Sequence, residues 1–153
     1  MKKALLIVMA LLICVGSYNA EASTQKRLIN KPSTDAVDTD DTLTSDAIRT
    51  SDLKKMSFFI NYDETETVGS VQGTFTAEVS WDKSNWYTTK ISELDFGAAD
   101  TPDTSIVLDA DKKTVAYFDQ RLTAPWVRVK FSPEGADGAG DFIYVTIEFN
   151  GIQ

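Results

Sequence analysis

The sequence predicts an all-β protein: an antiparallel, jelly-roll-like β-sandwich of about seven or eight strands behind a disordered N-terminal tail. Three observations predict it. Apolar residues recur with a period of two over 74–81, 127–131 and 143–149, the spacing of a strand with one buried face. Clusters of Asp, Asn, Ser, Gly and Pro separate these runs at short intervals. No window of ten or more residues beyond the first 22 carries apolar side chains at helical spacing.

Residues 1–22 form an export signal by their pattern. Lys2 and Lys3 supply the positive start, Ala4 to Val15 is an unbroken apolar run of twelve, and Ala20-Glu21-Ala22 offers small residues around a cleavage site. A membrane span needs about 20 apolar residues, so this run falls short of an anchor. Cys14 also raises a lipoprotein reading, but Leu11, Leu12 and the bulky Ile13 precede it where small residues are usual. Cleavage after Ala22 gives a mature chain of 131 residues, exported to the periplasm, the cell surface or the medium.

Residues 23–41 read as a flexible tail. Leu28, Ile29 and Val37 are scattered with no period among Thr, Ser, Asp and Lys, too little apolar surface to offset ordering entropy. The domain runs from 42 to 153. A strand is expected between Thr42 and Thr50, and Phe58, Ile60 and Tyr62 mark the next. From Thr74 the alternation puts Phe75, Ala77, Val79 and Trp81 on one face, so Trp81 is expected in the core. Asp82-Lys83-Ser84-Asn85 makes a tight reversal. Ser105–Leu108 and Val115–Phe118 are shorter strands with a turn at Asp109–Lys113 between them. Val127, Val129 and Phe131 precede a loop from Pro133 to Gly140, and Ile143, Val145, Ile147 and Phe149 close the chain.

Composition narrows the chemistry. There is no histidine, which removes the usual general base, the Ser-His and Cys-His nucleophile systems and the commonest zinc ligand. The only cysteine lies in the export signal, so the mature chain has neither thiol nor disulfide. The net charge of −8, or −9 once Lys2, Lys3 and Glu21 are removed, argues against nucleic acid and anionic lipid as partners.

Trp86, Trp126 and Tyr144 are the candidate ligand-binding residues. Trp126 falls on the face opposite Val127 and Val129, where beside Tyr144 or Phe142 it would give a flat platform for a sugar ring; the competing reading is that these aromatics cover a sheet edge. Asp109 with Asp111, and Asp137 with Asp141, look like the start of calcium loops, but Lys112 and Lys113 stand where further oxygen ligands belong, so no cofactor is assigned. Glu78 and Glu148, with Asp82 and Glu93 near turns, are the carboxylates a hydrolase would use; solubilising surface acids are the simpler reading and no catalytic residue is assigned. Arg128 and Lys130 are expected to neutralise acids across the sheet and to form no cationic patch.

Gly73-Thr74-Phe75-Thr76-Ala77-Glu78-Val79-Ser80-Trp81-Asp82, then Asn85-Trp86, then Pro125-Trp126-Val127-Arg128-Val129-Lys130-Phe131, a glycine-rich loop and the closing strand Phe142 to Phe149 give the stretch from Thr50 onward its character. In this it resembles phage virion and tail-associated β-sandwiches of discoidin-like jelly-roll type. The resemblance implies a non-enzymatic domain that assembles on particles or binds surfaces, and brings no catalytic residue with it. An export signal is untypical of virion proteins, and Trp126 stands where that family more often has tyrosine. The expectation is a structural or adhesive component of a phage particle or cell surface, working with protein partners or further copies of itself and without stable membrane insertion after cleavage. The alternatives are a carbohydrate-binding module gripping a surface glycan and, last, a carboxylate-dependent hydrolase.

Overall fold

Alternating sequence becomes alternating burial. A computed structural model of the chain describes residues 23–31, 37, 42–65, 71–94, 102–109, 111–118, 122–135 and 142–153, and among them lie eleven strands and no helix. They are β1 (Ser23–Lys31), β2 (Leu43–Thr44), β3 (Ile48–Arg49), β4 (Lys55–Thr65), β5 (Val71–Ser80), β6 (Tyr87–Thr89), β7 (Ser92–Glu93), β8 (Ile106–Leu108), β9 (Lys112–Tyr117), β10 (Trp126–Gly135) and β11 (Phe142–Ile152). Residues 1–22, where an export signal is expected, lie outside the described residues.

The strands form two antiparallel sheets. The first runs β1-β11-β4-β9-β7; the second runs β2-β10-β5-β6, with β3 also on β10 and β8 also on β5. Successive long strands change layer, β4 to β5 and β10 to β11, as in a jelly roll. The inner rows are the ones the alternation marks. Phe58, Ile60 and Tyr62 on β4 and Ile143, Val145, Ile147 and Phe149 on β11 are buried, as are Val71, Phe75, Ala77 and Val79 on β5 and Val127, Val129 and Phe131 on β10. Aromatic rings join the layers: Phe58 meets Phe75 from the opposite sheet at 5.7 Å, and Tyr62 meets Phe131 at 6.0 Å between ring centres. Each such side chain contributes about 1.5–3 kcal/mol by burial. Tyr62 keeps its hydroxyl satisfied by donating to Glu64 Oε2 at 2.7 Å. Burial, then that hydrogen bond and the carboxylate charge, push its ionisation far above the ordinary tyrosine range.

Three expectations change. First, Ser23–Lys31 is ordered as β1, antiparallel to β11 from Ser23 opposite Ile152 to Lys31 opposite Val145, with a register shift between Arg27 and Ile29. Side-chain patterning missed it because main-chain bonding to β11, more than apolar burial, holds this edge strand; only Ile29 in it is buried. Arg27 adds two bonds to Glu148 Oε1, at 3.0 Å from Nε and 2.8 Å from Nη2. Val37 bridges to Ile143 on the same track; the other residues of the expected tail lie outside the described set. Second, the strands number eleven instead of seven or eight, because five pieces of two or three residues complete the sheets. The single strand expected over 42–50 is two of these, interrupted at Ser45, whose N–H donates to Val129 O at 3.0 Å while its Oγ accepts the Val129 N–H at 3.0 Å. Third, Lys112 and Lys113 belong to β9 and not to a turn, and Lys112 is paired with Glu93 at 2.7 Å.

Gly73 shows how closely the layers fit. Its missing side chain leaves room for the ring of Phe131, with which a Cβ would collide, and the ring of Tyr62 would lie 3.3 Å away. Gly73→Ala should therefore cost about 1–3 kcal/mol as an overpacked core. Thermal unfolding measures it: the loss should shrink when Phe131→Leu is added, and an unchanged melting temperature in Gly73→Ala would contradict this packing.

Candidate binding surface

The end of β5 builds an aromatic corner. The period-two pattern of β5 stops at Ser80, which is itself buried, so the chain reverses one residue before Trp81 could continue the inner row. Ser80 Oγ accepts the N–H groups of Asp82 at 3.3 Å and Lys83 at 2.9 Å, and donates to Asp82 Oδ1 at 3.1 Å. Asp82 Oδ1 accepts the N–H groups of Ser84 and Asn85, each at 2.8 Å, and Oδ2 accepts Asn85 Nδ2 at 2.8 Å. These donors, the backbone of Asn85 and Ser84 first, hold the Asp82 carboxyl well below the usual carboxylate range. Lys83 takes the left-handed conformation at φ 64°, which costs a non-glycine residue about 1–2 kcal/mol; the hydrogen bonds on either side of it maintain the turn.

The reversal brings two tryptophans against two cations. Trp126 lies beside Ser80 and Arg49 in the sheet, and the Lys83 ammonium sits 3.6 Å from its ring centre. Trp86 donates from Nε1 to Lys83 O at 3.0 Å, and the Arg128 guanidinium lies 4.2 Å from its ring centre. Arg128 also donates to Glu78 Oε2 at 2.6 Å, while Lys130 stands 3.9 Å from Oε1 of the same carboxylate. Arg128 and Lys130 thus neutralise an acid across the sheet as their register predicts.

Trp86 and Trp126 are therefore neighbours in one structure, each with a ring face occupied by a cation of the same chain. Tyr144 is not with them. It lies on the outer face of β11, in the other sheet, and pairs with Phe142 at 6.5 Å and 20° between ring planes. The platform that sequence places between Trp126 and Tyr144 is split because β10 and β11 belong to different layers. Trp81, expected in the core, is 59% exposed; it meets Tyr87, 58% exposed, edge to face at 6.4 Å. Alternation gave no sign of this pair, since it marks where a strand points but not where it ends.

The acids separate too. Glu78 lies on the outer face of the second sheet and Glu148 on that of the first, each in an ion pair, so they make no carboxylate dyad. Glu93 is held by Lys112 and Asp82 by its own turn. Asp111 Oδ1 accepts the Glu64 N–H at 3.0 Å. Desolvation, then a hydrogen bond with Asp111 and its charge, raise the Asp63 carboxyl. Among the described residues no group of three or more ligating side chains could hold a metal; Asp137 and Asp141 lie outside them.

The outer face of the first sheet carries a groove of about 590 Å³. Two cross-strand rows floor it: Arg27-Glu148-Phe59-Val115 and Gln25-Asn150-Ser57, running over β1, β11 and β4, with Val115 on β9. Phe59 is 44% exposed there.

No family model matches the sequence, and comparison with curated proteins gives no match. The fold has solved counterparts. The crystal structure of SPBc2 prophage-derived protein YomS matches at a TM-score of 0.51 with 10% identity, over 88% of this chain and 96% of that one. PirA matches at a TM-score of 0.38 with 10% identity, over 90% of this chain and 99% of that one, too loose a likeness to carry an argument. The all-β architecture is thus shared with a prophage-derived protein.

The Asp82 turn has a defined acid response. Its folded ionisation is depressed, so its stabilisation is complete above about pH 4, the unfolded carboxyl value, and is lost as pH falls through the lower folded value. Emission from the three tryptophans should stay constant down to about pH 4 and shift only below it. In Asp82→Ala the shifted emission should already be present at neutral pH; emission identical to the wild type would show that the carboxylate does not hold this corner.

Proposed function

We propose that this chain is a non-enzymatic, exported β-sandwich that serves as a structural or adhesive component of a phage particle or cell surface. The observation that carries the reading is the Trp81–Tyr87 pair: two large aromatic side chains, both more than half exposed, on a turn held by hydrogen bonds. Leaving such surface in water forgoes the burial energy that fills the core, and aromatic side chains of this kind anchor protein interfaces. The carboxylates a hydrolase would need are separated and engaged in pairs or turns. The fold likeness to YomS, a prophage-derived protein, supports the phage half of this reading.

A second reading, carbohydrate binding through outward aromatics, draws support from Phe142 and Tyr144, whose rings lie nearly parallel along one strand face. Trp86 and Trp126 support it less, since cations of the chain already occupy a face of each.

Trp81→Ala/Tyr87→Ala should leave unfolding free energy within about 0.5 kcal/mol of the parent, as surface changes do, and should abolish co-sedimentation with particles or retention in a cell-surface layer. A parent protein that is strictly monomeric and associates with neither would refute the proposal.

A further inference from the structure

The geometry points to a sugar-binding site in the outer groove of the first sheet, selective for a neutral carbohydrate. It goes beyond the proposed function by placing a separate ligand site on the opposite sheet, and it uses none of the residues of the Trp81–Tyr87 corner. Four observations carry it. The groove, at about 590 Å³, falls in the range of small-ligand sites, roughly 300–1,000 Å³. Its floor offers an apolar ring, Phe59, which the fold leaves 44% exposed beside Val115. Polar groups line the groove with that ring: the amides of Gln25 and Asn150, the hydroxyl of Ser57, and the Arg27–Glu148 pair. Asn150 Oδ1 is buried and finds no hydrogen-bond partner among the described residues. A buried acceptor of this kind is uncommon and calls for a donor.

The charges decide between ligand classes. Arg27 is neutralised by Glu148 at 2.8 Å, and Lys26 lies 3.9 Å from Asp46. An anionic ligand would have to compete for Arg27 with an established ion pair. A neutral polyhydroxylated ring brings many donors and acceptors and an apolar face, matching amides, a hydroxyl and a phenyl ring. The outward row of β11 continues from Asn150 and Glu148 through Thr146 to Tyr144 and Phe142. At about 3.3 Å per residue, Tyr144 stands some 13 Å from Glu148. The parallel Phe142–Tyr144 rings thus extend the site along the strand, which suits a linear oligosaccharide better than a single sugar.

The full chain, labelled with nitrogen-15, is titrated with cellotetraose, maltotetraose and chitotetraose, with tetragalacturonate as the acidic comparison. At least one neutral chain should shift the side-chain amide signals of Gln25 and Asn150 at millimolar concentration, and Phe59→Ala should weaken that binding about tenfold or more while Trp81→Ala leaves it unchanged. No response to any neutral chain at about 10 mM, binding of tetragalacturonate alone, shifts confined to the Trp86–Trp126 corner, or affinity unaffected by Phe59→Ala would each overturn the site. The probes are soluble, so the titration succeeds or fails independently of particle or cell-surface association.

Discussion

Phe58 sits where the two sheets are pressed together, touching Phe75 across the gap, Phe149 on the neighbouring strand and Phe118 beyond β9, each at 5.7 Å between ring centres. With Tyr62 on Phe131 over Gly73, these contacts fix the register of β4 against β11 and of β5 against β10. Because side chains alternate with a period of two, a slip of one residue would carry Phe58 out and Phe59 in. Inner rows of aromatic and branched side chains therefore dictate which residues face water. The outer faces are consequences of the core.

Those consequences differ between the sheets. On the second, Arg128 opposite Glu78 is a cross-strand pair that stabilises by about 0.2–1 kcal/mol, and its guanidinium and the Lys83 ammonium cover tryptophans. Trp81 and Tyr87 project at the end of that face, and Val107 is exposed on β8. On the first sheet, β1 brings Gln25 opposite Asn150 and Arg27 opposite Glu148. Without this edge strand the groove has no wall on that side. The same strand is the least core-bound of the long ones, so the fold gains little from it by hydrophobic burial, while the outer face gains half of its polar lining.

Much of this was legible in the sequence. Phe58 to Tyr62, Phe75 to Val79, Val127 to Phe131 and Ile143 to Phe149 are strands with their predicted faces inward, because both sheets have one dry side and one wet one. Three features were hidden for separate physical reasons. β1 lacks apolar alternation because its ladder to β11 is formed by backbone groups, which every sequence possesses. Trp81 is outside because Ser80 and Asp82 end the strand, and a capping hydrogen bond outranks a hydrophobic pattern at its last position. The groove requires Gln25, Ser57 and Asn150 to be neighbours; that depends on pairing register between segments up to 125 residues apart, which no local window contains. Tyr144 faces outward as its alternation with Ile143 and Val145 predicts, but its separation from Trp126 depends on which layer each strand joins.

Phe59 tests whether these outer features are incidental. It sits in the centre of a long strand between Phe58 and Ile60, both fully buried. Folding does not need an aromatic there: threonine or lysine would keep the strand and improve its solvation, and leaving phenylalanine 44% exposed forgoes part of the roughly 1.5–3 kcal/mol that full burial gives. Scattered exposed apolar residues are ordinary in proteins. Phe59, however, lies directly opposite Val115 on one side and Glu148 on the other, in a row where an apolar ring and an ion pair meet the same hollow as Asn150 Oδ1, a buried acceptor without a partner among the described residues. Chance exposure accounts for the ring alone. It does not account for the polar groups beside it, which come from three strands, β1, β4 and β11, and the proposed sugar site rests on that convergence.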